Sequence, residues 1–175
     1  MESVRKRECK RKVYTLFITA EGFCNADWAS QKDRHSISGF CFQYGNNAIS
    51  WSLKKQSIIA LSSMEAEYVA ETNMAKEALW LQSFINEVTG IDYRPLTIRC
   101  NNQGAMVLAK DNKFHLRTKH INLRYHFIHE AVKDGKIELS YVPTAKNIAN
   151  IFMKTMAKPK FSEFMTKLGL GQRTE

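Results

Sequence analysis

The chain has 175 residues, which suits one domain and is long enough to bury a core without disulfide or metal staples. Its hydrophobic fraction of 44% excludes a disordered chain, and no apolar run is long enough to cross a bilayer. With 26 Lys plus Arg against 17 Asp plus Glu, the formal net charge of +9 favours a polyanionic partner over an acidic protein surface.

Met1 to Lys12 carries Arg5, Lys6, Arg7, Lys10, Arg11 and Lys12 and leads into no signal-peptide apolar region. It is read as a solvated basic arm, and the chain as intracellular, cytoplasmic or nuclear. Val13 to Cys24, rich in aromatic and β-branched residues, predicts a first strand or extended pair. Ser38 to Tyr44 predicts a second strand. Gly45-Asn46-Asn47 is a hairpin turn, because Gly and Asn tolerate positive φ, and Ala48 to Leu53 is the antiparallel third strand.

Ser62-Ser63-Met64-Glu65 has the S-x-x-E spacing of a capping box. Ala66, Val69, Ala70, Asn73, Ala78, Leu81 and Ile85 follow at helical spacing, and Gly90 can close the helix. Leu96 to Cys100 predicts a fourth strand. Asn101 or Asn102 caps a helix through Ala109, and Thr118 to Lys133 forms another, ended by Gly135. Ile137 to Val142 is a fifth strand stopped by Pro143, followed by short helices at Ile148 to Met153 and Pro159 to Leu168. Three strands followed by alternating helices and strands imply an α/β fold, a mixed sheet with helices on its faces.

Cys9, Cys24, Cys41 and Cys100 form no close C-x-x-C pair, which disfavours a zinc ribbon and predicts reduced thiols, buried where the surroundings are apolar. His115, His120, His126 and His129 crowd one segment, but His120 falls on a different helix face from His126 and His129. Structural or phosphate-facing roles are expected of them ahead of metal ligation. Trp28, Trp51 and Trp80 are read as core or strand-face residues ahead of base-stacking platforms. Lys54, Lys55, Lys110, Lys113, Arg117, Lys119 and Arg124 are candidate phosphate contacts, each equally readable as a solvated charge.

Several stretches in order resemble the ribonuclease H domain of copia-type LTR retrotransposon Pol polyproteins. They are Asn25-Ala26-Asp27-Trp28-Ala29, Ser36-Ile37-Ser38-Gly39-Phe40, Ala48-Ile49-Ser50-Trp51-Ser52-Leu53-Lys54-Lys55-Gln56 and Ala60-Leu61-Ser62-Ser63-Met64-Glu65-Ala66-Glu67-Tyr68. Lys76-Glu77-Ala78-Leu79-Trp80-Leu81 and the distinctive Arg117-Thr118-Lys119-His120-Ile121-Asn122-Leu123-Arg124-Tyr125-His126-Phe127 complete the set. The resemblance implies a ribonuclease H-like fold, a five-stranded mixed sheet flanked by helices. The chain then divides into a basic arm at residues 1–15, the domain at 16–170 and a tail at 171–175.

Such a domain cuts the RNA strand of an RNA–DNA hybrid with two divalent metals. In-line displacement at phosphorus needs a nucleophilic water and a stabilised leaving oxygen, which paired Mg²⁺ ions about 4 Å apart supply. Mg²⁺ prefers anionic oxygens, so several carboxylates must converge. The resemblance places these at Asn25, Glu65, Asn101 and Asn150, where only Glu65 is acidic; Asp27, two residues past Asn25, is a secondary acid. Glu65 and Asp27 are thus the weak remaining metal ligands. One ion pair at about 4 Å is worth about 4 kcal/mol at an effective dielectric near 20, so three lost charges predict little affinity for two ions.

No resident cofactor is expected, with Mg²⁺ or Mn²⁺ the ion of an active version. By family position Ser62, Ser63 and Gln103 line the minor groove, where the 2′-OH marks RNA; capping explains Ser62 equally well. Lys119 and Arg124 complete the expected substrate set. The expected partner is an RNA–DNA hybrid or other nucleic acid, with no membrane role. Three functions follow in order: an inactive domain that still binds nucleic acid, a residual nuclease working through Glu65, Asp27 and the amides, and a structural or protein-interaction remnant. Met64 and Met153 stand where the family usually has Thr. With the three Asn, these changes are each reachable by one C-to-T or G-to-A transition, which suggests cytosine deamination of a retroelement copy. The codons at the five positions decide it, and mixed codon histories rule it out.

Overall fold

The computed structural model describes residues 20–110, 119–153 and 155–171. Five strands form one sheet: β1 (Ala20–Asp27), β2 (Ile37–Tyr44), β3 (Asn47–Lys55), β4 (Leu96–Cys100) and β5 (Ile137–Tyr141). The order across the sheet is β3-β2-β1-β4-β5, with β1–β2 and β2–β3 antiparallel and β1–β4 and β4–β5 parallel. The helices are α1 (Ser63–Thr89), α2 (Gln103–Lys110), α3 (Lys119–Lys133), α4 (Asn150–Met153) and α5 (Lys158–Lys167). A 3₁₀ turn, Thr144–Lys146, joins β5 to α4. The five-stranded mixed sheet flanked by helices is the architecture expected from the sequence.

Alternation in the strands gives the sheet two buried faces. Cys24, Phe42, Ile98, Leu139 and their neighbours pack beneath α1 and α3, whereas Phe23 and Cys41 turn to the other face and meet Val142, Ile148, Ala149 and Leu168. The buried set of α1 is wider than its predicted stripe and includes Glu67, Tyr68, Glu71, Thr72, Met74 and Ala75. That breadth reflects a helix flanked by the sheet on one side and by α2 and α3 on another. Ser62 caps α1 by accepting from the Glu65 amide at 3.1 Å, and Gly90, at φ 71°, closes it.

The first strand differs from its predicted bounds. It runs on to Asp27 and so carries Asn25, while the predicted portion at 13–19 lies outside the described residues. The tryptophans, expected in the core or on a strand face, are 49%, 63% and 58% exposed at Trp28, Trp51 and Trp80, so none is core and only Trp51 lies on a strand face. Trp28 follows the end of β1, where its Nε1 donates to the Ala60 carbonyl. Trp51 sits on the edge strand, and Trp80 lies on the outer side of α1, stacked on Phe84 at 5.4 Å. The thiol expectation holds for Cys24, Cys41 and Cys100, which are buried and in no disulfide among the described residues; Cys9 lies outside the described residues.

Candidate functional site

Asn25 occupies the end of β1 on the face that α4 covers. It pairs across the ladder with Gly39, where a Cβ would come within 2.8 Å of the Met153 methyl. Glycine there lets α4 lie close over the strand. As a result Asn150, the first residue of α4, meets Asn25 directly: Asn25 Nδ2 donates to Asn150 Oδ1 at 2.5 Å, with both side chains buried. Asn150 Nδ2 in turn donates to the Thr144 carbonyl at 2.5 Å. From the end of β4, Asn101 Nδ2 donates to Thr144 Oγ1 at 3.1 Å. Three of the four positions singled out in the sequence thus converge on one hydrogen-bonded cluster around Thr144. The Asn101 Oδ1 atom is buried without a hydrogen-bond partner among the described residues.

Glu65 belongs to a different set of bonds. Its amide donates to Ser62 Oγ at 3.1 Å, the first bond of the capping box, while its carboxylate reaches one residue further back and accepts from the Leu61 amide at 2.8 Å. Gln56 fixes this helix start to the sheet. Its Nε2 donates to Ser38 Oγ and to the Ala66 carbonyl, both at 2.8 Å, and Ser38 is the ladder partner of Ala26, beside Asn25. The first turn of α2 lies next to that of α1: a Cβ on Gly104 would stand 3.3 Å from the Met64 sulfur. The ends of β1 and β4 and the starts of α1, α2 and α4 therefore form one rim.

Asp27 closes β1 on that rim and is partly exposed. Ser63 and Gln103, at the starts of α1 and α2, are exposed to solvent. Lys54 and Lys55 end β3, with Lys55 ion-paired to Asp33. Arg124 lies in α3, half-buried, with Nη1 buried and without a partner among the described residues, and its main-chain carbonyl accepts from Tyr68 Oη at 3.5 Å. Lys119 begins α3, but its side chain is outside the described ones, as is that of Lys110; Lys113, Arg117 and His115 are outside the described residues altogether. His126 and His129 both pack on the Tyr125 ring, edge-on at 5.5 Å and stacked at 5.8 Å.

Two positioning residues escaped the sequence reading. One is Gln56, quoted within a motif but given no role. The other is Asn147, which is fully buried; its Nδ2 donates to the Cys24 carbonyl at 2.8 Å and its Oδ1 accepts from the Ala149 amide at 3.1 Å. It ties the turn before α4 to β1 one residue from Asn25. The signal was the short spacing Asn147-Ile148-Ala149-Asn150 after Pro143, an Asx-type helix start. On the opposite side of β1, the Cys24 thiol adjoins that of Cys100, and this hydrogen bond followed by burial raises its pKa well above the usual value. Burial, then the Cys100 thiol, then Glu67 hold the Glu71 carboxyl well above the ordinary carboxylate range.

No family model matches the chain. It is 39% identical over 142 residues to the retrovirus-related Pol polyprotein from transposon TNT 1-94 of Nicotiana tabacum, covering 81% of this chain and 11% of that protein. It is 36% identical over 154 residues to the Pol polyprotein from transposon RE1 of Arabidopsis thaliana, covering 87% of this chain and 10% of the relative. The chain therefore spans about a tenth of the length of these relatives. Its fold matches LC11-RNase H1 from compost, with TM-score 0.53, 14% identity and coverage of 77% of this chain and 91% of that one. It also matches the same protein bound to an RNA/DNA hybrid, with TM-score 0.52, 13% identity and coverage of 74% and 88%. The N-terminal RNase H domain of a Mycobacterium tuberculosis protein gives TM-score 0.55 at 10% identity, covering 85% and 97%. The chain thus belongs with the retrovirus-related Pol polyproteins of transposons, of which it represents a ribonuclease H-fold segment.

Proposed function

We propose that this domain binds nucleic acid of the RNA–DNA hybrid class without cutting it. The observation that carries this reading is the direct bond between Asn25 and Asn150 at 2.5 Å. Where a two-metal site needs carboxylate oxygens turned toward the ions, an amide N–H here faces an amide oxygen, and each satisfies the other. Two divalent ions bring four positive charges, against which the rim offers two carboxylates, Asp27 and Glu65, the latter already engaged by the Leu61 amide. The donor set does not fit a pair of Mg²⁺ ions.

Binding is supported by different features. The net charge is +9, and exposed Ser63 and Gln103 stand on the rim that the cluster shares with α1 and α2. LC11-RNase H1, which has the same fold, is known in complex with an RNA/DNA hybrid. Phosphate neutralisation dominates such binding and is weakened by salt.

A residual-nuclease reading rests on one observation, the neutral Asn101 Oδ1, which is buried and has no hydrogen-bond partner among the described residues. A cleavage assay on an RNA–DNA hybrid in Mg²⁺ and in Mn²⁺ separates the two. The expected outcome is no cleavage above a buffer control, together with hybrid binding whose logarithm falls linearly with log salt. Metal-dependent cleavage abolished by Glu65→Gln would establish the residual nuclease instead, and no measurable hybrid binding at low salt would favour a structural remnant.

A further inference from the structure

We propose that β3 is a dimerisation edge through which two copies of this chain join their sheets antiparallel, about a two-fold axis at Ser52. β3 is the outermost strand, and β2 is the element it packs against. The Gln56 amide donates inward to the Ser36 carbonyl at 2.8 Å. In an antiparallel ladder the main-chain groups alternate, so Ser52 and Lys54 also face β2, while Trp51, Leu53 and Lys55 turn their N–H and C=O groups outward. Among the described residues, an outward amide is taken up elsewhere only near the start of the strand, by the Ala48-to-Leu168 bond.

Open edges of this kind are normally blunted by charge, proline or a bulge in mid-strand. Here the register shift leaves Ile49 bulged, three residues before Ser52, and the charges Lys54 and Lys55 stand at the other end, so the regular open stretch is Ser50 to Leu53. The middle is apolar and open: Ile49, Trp51 and Leu53 are 41%, 63% and 52% exposed. Ser50 reaches Glu77 of α1, so Trp51 belongs to the opposite face, where it borders an apolar groove of about 470 Å³ with Phe152, Phe161 and Leu170.

The sequence Ile49-Ser50-Trp51-Ser52-Leu53-Lys54-Lys55 suits itself as a partner. With the axis at Ser52, Trp51 stands opposite the partner's Leu53 and Leu53 opposite the partner's Trp51. These are outward-facing residues on both strands, so their ladder bonds close. Lys55 falls opposite Ile49 and Lys54 opposite Ser50, so no two lysines are opposed despite the net charge of +9. A shift of one residue sets outward groups against inward ones, and an axis at Lys54 sets Lys54 against its own copy. The contact is isologous and closes on itself. Since Trp buries about 150–250 Å² at most, the interface falls near the low end of stable contacts, and the association is weak and concentration-dependent.

Sedimentation velocity of the whole chain, from low micromolar to several hundred micromolar, should show a monomer–dimer shift. Trp51→Lys and Leu53→Lys should each weaken it at least about tenfold, while Trp80→Lys, on another exposed aromatic, leaves it unchanged. In a Cys9→Ser background, Ser52→Cys should form an intermolecular disulfide under an added thiol oxidant such as glutathione disulfide, because non-hydrogen-bonded partners lie about 4.5 Å apart between Cα atoms. Ser50→Cys, opposite Lys54, should not. A chain that stays monomeric throughout, a dimer indifferent to both Trp51→Lys and Leu53→Lys, or equal cross-linking at Ser50→Cys and Ser52→Cys would overturn the proposal. Far-UV circular dichroism checks that the variants fold, and if Trp51→Lys does not, Leu53→Lys and the cross-links decide.

Discussion

The two faces of the sheet bury polar groups in opposite ways. Beneath α1 the core is thick and apolar, and the acid within it, Glu71, is 1% exposed among thiols and a second carboxylate. On the face of α4 and α5 the apolar cluster is small, and its buried polar residues, Asn25, Asn147 and Asn150, are amides bonded to one another or to the main chain. An amide brings its own donor and acceptor and needs no proton from solvent to become neutral. A carboxyl in an apolar core becomes tolerable by keeping its proton. One face should therefore be sensitive to pH, and the other to loss of single hydrogen bonds.

The largest expected effect tests the α1 face. The folded carboxyl of Glu71 is held above its unfolded value, so the native chain binds the extra proton in the window between the two. Its contribution is fully present below the unfolded carboxylate range and is lost as pH rises toward the folded value, at up to about 1.4 kcal/mol per pH unit. Glu71→Gln should remove this slope and leave a chain more stable than the parent at neutral and alkaline pH. Urea unfolding across pH measures it; parallel profiles for the two proteins would show that Glu71 ionises in the fold without cost.

The next effect concerns the α4 face. Asn147→Ala removes the donor to the Cys24 carbonyl and the acceptor for the Ala149 amide, leaving buried main-chain groups unpaired. A loss of about 2–3 kcal/mol is expected, read as a fall in the urea midpoint at unchanged slope. A loss below about 0.5 kcal/mol would mean that water replaces the side chain without penalty and that the amides are not what holds α4 to β1.

How much of this was legible in the sequence follows from what each feature depends on. The capping box at Ser62 and Glu65 and the closing Gly90 were readable because their signals are local. The convergence of Asn25, Asn101 and Asn150 was not a matter of pattern; it came from the resemblance, since residues 125 apart in sequence carry no periodicity that links them. Core and strand face stayed undivided for Trp51, and the exposed helix position of Trp80 was not expected, because an aromatic in a strand or helix gives the same local signal at an edge as in a core. Only the strand order, with β3 outermost, decides between them. Gln56 and Asn147 were passed over for a related reason: a buried amide that bridges elements is recognised by its partners, and these are fixed by the fold.

The smallest effect sharpens the comparison at the site itself. Asn and Asp are nearly isosteric, so the triple change Asn25→Asp, Asn101→Asp and Asn150→Asp should leave the backbone intact while turning the amide cluster into a carboxylate one. The Asn25-to-Asn150 bond becomes a contact between two acceptors, both at positions less than a tenth exposed. Without metal the like charges repel, and at least one carboxyl is driven to keep its proton. A destabilisation of about 1–2 kcal/mol is expected in EDTA at neutral pH, limited because the carboxyl that keeps its proton can donate it to the other. Millimolar Mg²⁺ should restore the loss by mass action on the folded state, whereas the parent chain should melt at the same temperature in Mg²⁺ and in EDTA. Thermal melts of both proteins at low ionic strength, with NaCl matched for screening, provide the measurement. A parent chain that gains several degrees from Mg²⁺ but not from NaCl would show that Glu65, Asp27 and the amides still hold the ion, and the non-cleaving reading would fall with it. A revertant that folds yet gains nothing from Mg²⁺ would show that the four positions do not share a site, despite the bonds that join three of them through Thr144.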